Sequence, residues 1–170
     1  MDQAHQYILG EHNDILHLES LQDNRDMALS MTQQAKRSLH IFTQNMDAPI
    51  FDTPSFAEAL KNLAILDRHS YVQILVKDTR YAILNGHRFI ELARRLSSHI
   101  QIRKTSIEYK EDNTAFLIVD ETGYIRRTNA DRYEGTACFN ARNDCRHLVN
   151  FFKTAWEKAA PDPELRQLHI

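Results

Sequence analysis

Short apolar runs of strand length alternate with segments whose apolar residues recur at helical spacing, and this alternation is what most constrains the fold. Residues 39–43 (Leu-His-Ile-Phe-Thr) and 71–76 (Tyr-Val-Gln-Ile-Leu-Val) are rich in β-branched and aromatic side chains and read as strands. Between them Thr53 is a cap, Pro54 suits a first helical turn, and Phe56, Leu60, Leu63 and Ala64 form an apolar stripe. Ser20 caps an earlier helix running to Arg37, with Asp23 near its positive end and Ala28, Met31 and Ala35 on one face. Asn85-Gly86 opens a third helix with the stripe Phe89, Leu92, Ala93 and Leu96, and residues 100–103 alternate as a strand.

Strands crowd into the second half. Residues 116–119 and 124–125 flank Asp120-Glu-Thr-Gly123, a turn with glycine at its end, and predict a hairpin. Residues 135–139 add another strand. Asn143-Asp144 opens a final helix in which Cys145, Leu148, Val149, Phe152, Trp156 and Ala159 recur at helical spacing. That aromatic stripe is read as core, not as a cofactor box. Together these elements predict an α/β fold with a mixed β-sheet flanked by helices on both faces. Residues 7–10 and 15–18 are read as two short strands around the turn 11–14. The expected organisation is therefore an N-terminal extension with a short hairpin (1–20), one domain (21–160) and a C-terminal tail (161–170), with Pro161 and Pro163 stopping the last helix.

Composition removes several function classes. The net charge of −2 gives no whole-molecule attraction to nucleic acid, although Arg94-Arg95, Arg103-Lys104 and Arg126-Arg127 leave room for a local basic patch. No apolar run approaches the ~20 residues that span a bilayer, and the first residues lack the basic start and apolar segment of a signal peptide. The expectation is a cytoplasmic protein with no membrane partner. Cys138 and Cys145 are spaced too widely for a CxxC-like metal pair and read as small core residues. His12 and His17, near Glu11 and Asp14, match no strong metal spacing, so no metal and no cofactor are expected. Asp47 and Asp52, around Pro49, read as turn chemistry.

The stretch from Asn113 through Ala115 to Asp120, followed by Thr128-Asn129 and Tyr133-Glu134, resembles one half of a phospholipase D-superfamily protein. That family carries HxKxxxxD, then a strand leading to GSxN, a Glu strand and a closing amphipathic helix. The resemblance spans residues 21–159 and extends to an uncharacterised bacterial branch of the superfamily, to which residues 86–103 are similar. It implies a phospholipase D-like single domain. It also implies a homodimer, because a full active site takes two motif copies and this chain has one.

In this sequence Asn113 and Ala115 stand where the motif has His and Lys, whereas Asp120 matches. An amide nitrogen is neither nucleophile nor base at neutral pH, and alanine supplies no charge to a developing phosphorane. The resemblance thus implies a pseudoenzyme without catalytic residues, a dimeric binding or adaptor module for a phosphate-bearing ligand or a protein partner. Arg127 replaces the Ser of GSxN and Asn129 keeps its Asn. Two readings of this cluster stand side by side. In one, Asn113, Arg127 and Asn129 form an anion-binding pocket with Glu134 orienting them. In the other, Arg127 makes a structural ion pair with Glu134 or Asp120. Two further functions remain open. One is an active phosphodiesterase or nuclease with an unusual nucleophile. The other is a nucleic-acid-binding module in which Arg103, Lys104, Arg126 and Arg132 share one basic face.

Overall fold

The computed structural model describes Ala4 and residues 6–166. Those residues form a seven-stranded mixed sheet in the order β1-β7-β6-β5-β2-β3-β4. The strands are β1 (Leu16–Leu18), β2 (Ser38–Thr43), β3 (Tyr71–Val76), β4 (Ile100–Lys104), β5 (Ala115–Val119), β6 (Gly123–Arg127) and β7 (Gly135–Cys138). Pairings β2–β3 and β3–β4 are parallel and the others antiparallel. The parallel part is the helix-alternating first half of the chain. The antiparallel part is the hairpin-rich second half, in which short turns leave no room for crossovers.

Helices cover both faces. On one side α1 (Leu21–Gln33), α2 (Ala48–Phe51), α3 (Pro54–Leu66) and α5 (Arg88–Arg95) bury Met31, Ile50, Phe51, Phe56, Leu60 and Phe89 against Leu39, Ile41, Ile74 and Leu117. On the other side α6 (Arg142–Lys158) lays Cys145, Val149, Phe152 and Trp156 over Phe42, Leu75, Phe116 and Ile118. All six residues of β2 are buried, so its Leu-His-Ile-Phe run serves both layers in alternation. Helix starts follow their side chains. Ser20 and Asp23 form a reciprocal capping box on α1, and the Thr53 hydroxyl accepts the Phe56 N–H of α3.

Three local expectations are corrected. No hairpin forms between residues 7–10 and 15–18. Instead Leu16–Leu18 pairs with β7, and the Gly10 N–H donates to the Phe139 carbonyl, because joining the edge of a large sheet is more stable than an isolated two-stranded hairpin. The third helix starts at Arg88 and not at Asn85. Gly86 sits at a φ of 78°, which ends the short helix α4 (Arg80–Asn85), and the His87 ring caps α5 by accepting the Phe89 N–H. Helices α2 and α4 themselves lie where the sequence reads as loop. Of the C-terminal tail, Pro163–Arg166 makes a 3-10 turn, and residues 167–170 lie outside the described residues.

Candidate functional site

The motif edge is built by three long-range latches. The Gln44 amide at the end of β2 donates to the carbonyls of Asp112 and Thr114 at 3.3 and 2.7 Å. The Lys77 ammonium at the end of β3 donates to the carbonyls of Lys110 and Asp112. The Asn113 carbonyl accepts the Ala130 N–H at 2.8 Å. The chain is therefore held still just before β5 begins, and Asn113 stands at the mouth of the β5–β6 hairpin.

There Asn113 is exposed, and its amide donates to Asn129 Oδ1 at 2.9 Å and to Asp131 Oδ2 at 3.3 Å. Asn113 and Asn129 do meet, as expected. Neither acceptor is a histidine. Asp131 had no sequence signal beyond lying two residues after Asn129.

Arg127 is 5% exposed, on the inner face of β6. One guanidinium nitrogen donates to Asp47 Oδ2 at 2.7 Å, and the other donates to the carbonyls of Ala130 and Arg132 at 2.9 and 3.1 Å. Its ion-pair partner is thus Asp47, 80 residues earlier, and not Glu134 or Asp120. Asp47 is held in a left-handed turn with Met46 (φ of 40° and 76°), and its carboxylate also accepts the Thr43 hydroxyl. His87 steadies the same turn, since its Nε2 lies 3.1 Å from the Met46 carbonyl. Because its Nδ1 accepts the Phe89 N–H, Nε2 carries the proton and donates. Burial lowers the pKa of His87 despite the opposing pull of Asp52, so the ring is neutral at pH 7. At Gly135 a Cβ would come 2.4 Å from the Arg126 carbonyl and 2.9 Å from Arg127 Cγ, so glycine lets β7 close over this arrangement.

Beside Arg127, where the motif lysine is replaced by Ala115, Phe51, Ile50, Phe116 and Leu117 close around a cavity of about 20 Å³. That is room for roughly one water and not for a phosphate. Asn113, Asn129 and Glu134 do not line it. Glu134 is exposed and makes no hydrogen bond or ion pair among the described residues. Wider grooves lie elsewhere, for example one of about 720 Å³ between α5, β4 and residues 161–166.

Asp120 plays a different part. It sits in the hairpin turn at φ 53°, and its two carboxylate oxygens accept the N–H groups of Lys36, Arg37 and Ser38 at 2.8–3.0 Å. The cations proposed to form one basic face are dispersed. Arg103 stacks on the Trp156 ring at 4.3 Å and donates to the Trp156 carbonyl. Lys104 alternates to the opposite face, and Arg126 is four strand positions from β4, roughly 19 Å away at the usual strand spacing. Among the described residues no group of three or more His, Cys, Asp or Glu side chains gathers to hold a metal, and no helix is long and apolar enough to cross a membrane.

A family model described as a domain of unknown function, DUF7931, matches residues 20–168. The chain belongs to the DUF7931 family. No curated protein matches it. Among solved structures, this DUF7931 chain is similar to Nuc from Salmonella typhimurium, a phospholipase D family member, with a TM-score of 0.62, 15% identity, and coverage of 88% of this chain and 97% of that one. NucT from Helicobacter pylori gives a TM-score of 0.58 at 15% identity, covering 88% and 98%. TrmBL2, an archaeal chromatin protein that binds DNA, gives 0.65 at 14% identity, and the match spans 87% of this chain but only 53% of that one. The DUF7931 chain therefore has the phospholipase D-like fold.

Proposed function

We propose that this chain is a catalytically inactive phospholipase D-like protein that acts as a homodimeric binding or adaptor module and presents its motif edge to a protein partner. The observation that carries this reading is the buried Arg127–Asp47 pair. The guanidinium that sequence reasoning offers to a phosphate already has a carboxylate and two carbonyls, and the space beside it is closed by Ile50 and Phe51. A phosphate-bearing ligand would have to displace Asp47, whereas a protein partner needs only the exposed edge carrying Asn113, Asn129 and Asp131, with Glu134 further along the same loop. Asn113 and Ala115 supply neither nucleophile nor clamp, which supports inactivity.

Three measurements test this. Hydrolysis of bis(p-nitrophenyl) phosphate by the purified chain is expected to match buffer alone; turnover that scales with protein and falls in Asn113→Ala would overturn the pseudoenzyme reading. Light scattering at micromolar concentration is expected to give the mass of two copies, and a single-copy mass throughout would remove the dimer. Calorimetry with inorganic phosphate is expected to give no binding heat; heat that is lost in Arg127→Met would restore the anion pocket. The likeness to a chromatin protein favours a second reading, nucleic-acid binding. Duplex DNA retained in a gel shift at low salt and released steeply as salt rises would support it over the first.

A further inference from the structure

His40 is the least expected side chain in the interior. It sits mid-strand in β2 at 0% exposure, and neither ring nitrogen has a hydrogen-bond partner among the described residues. Buried polar groups without partners are rare enough that each one calls for an explanation. The register places Gln73 of β3 and Ile118 of β5 beside it on the α6 face. Above it, the Phe152 ring of α6 packs edge-on at 4.8 Å, and Tyr71 of β3 meets it edge-on at 5.5 Å. The charged group that faces it is Lys153 of α6, which is itself paired with Glu121 at the β5–β6 turn. A proton on this ring would therefore find aromatic edges and a second cation but no carboxylate. Burial first, and Lys153 second, hold the ring's pKa down at about 4.

We propose that His40 is an acid-released fastener for α6: uptake of a proton expels the ring from beneath Phe152 and frees this helix from the sheet, while the α1–α3–α5 layer keeps its packing. The neutral ring is what the packed layer accepts, and the freed layer takes up the proton at the ordinary histidine value. Stability of the α6 layer is then full above about pH 6.5, falls as pH drops, and levels off near pH 4, for a loss of roughly 300-fold in the packing equilibrium over that window. His87 is the other buried histidine with a lowered pKa, but it lies in the opposite layer with both nitrogens bonded.

The chain carries its own reporter. Trp156 is the one tryptophan, it lies on α6, and it stacks on Phe152 at 5.8 Å. Trp156 fluorescence and far-ultraviolet circular dichroism are followed from pH 8 to pH 4 at a fixed, sub-denaturing urea concentration, for the wild type, His40→Phe and His87→Asn. In the wild type the tryptophan signal is expected to change first, with its equilibrium constant moving about tenfold per pH unit. His40→Phe is expected to flatten that slope, and His87→Asn to keep it. An unchanged slope in His40→Phe, or fluorescence and dichroism lost together in the wild type, would overturn the proposal. Should His40→Phe fail to fold, the wild-type His40 ring is followed by NMR. A ring that stays neutral in the packed state down to pH 5 supports the proposal, and a ring that titrates in place near 6.5 overturns it.

Discussion

The two faces of the sheet each bury a basic side chain, and they treat it in opposite ways. On the α1 face Arg127 keeps its charge, because a guanidinium does not lose its proton in a protein, and the fold surrounds it with Asp47 and two carbonyls. On the α6 face His40 has no hydrogen-bond partner among the described residues and stays neutral, because an imidazole can give up its proton within the ordinary pH range. One layer is thus held in part by a buried ion pair. The other is held by packing that a single proton can undo. Each layer thus buries one neutral histidine, bonded through both nitrogens at His87 and, among the described residues, through neither at His40.

The sharpest way to break this comparison is Asp47→Ala. It leaves Arg127 buried without a counter-charge and is expected to cost about 3–5 kcal/mol in urea unfolding at pH 7. A loss under about 1 kcal/mol would mean that the carbonyls alone satisfy the guanidinium. Next is the pH dependence of wild-type stability. His40 is expected to contribute a loss of about 2 kcal/mol between pH 7 and pH 5, because the unfolded chain binds the proton that the folded chain refuses, and His40→Phe should remove it. The double variant Asp47→Leu with Arg127→Met exchanges the ion pair for apolar packing. It is expected to lie within about 1.5 kcal/mol of the wild type, well above Asp47→Ala, since replacing a whole buried pair costs far less than breaking one. Smallest is Lys153→Met. Removing the cation beside His40 eases the ring's protonation in the folded state, so the acid transition is expected to move by a few tenths of a pH unit toward lower pH; a shift the other way would show that Lys153 acts through Glu121 instead.

Legibility followed locality. The strands at 39–43, 71–76 and 116–119 stood out because most of their side chains are buried, which favours apolar, β-branched and aromatic residues. The Ser20 and Thr53 caps were readable because each bond closes within three residues. Helix α2 was not, since four residues carry no periodicity. At the site, Asn113 and Asn129 were grouped from the motif layout and do share a hydrogen bond. The partner of Arg127 was invisible, because Asp47 sits 80 residues away in a turn whose sequence signals only a bend. His40 was hidden in the opposite sense. A histidine within an apolar strand fixes its own burial, but nothing in the sequence says whether its nitrogens will find partners.

The Asp120 carboxylate, spread across the amides of Lys36, Arg37 and Ser38, splices the tip of the β5–β6 hairpin to the entry of the central strand. The motif position that survives intact is therefore masonry, whatever else it does in a working enzyme.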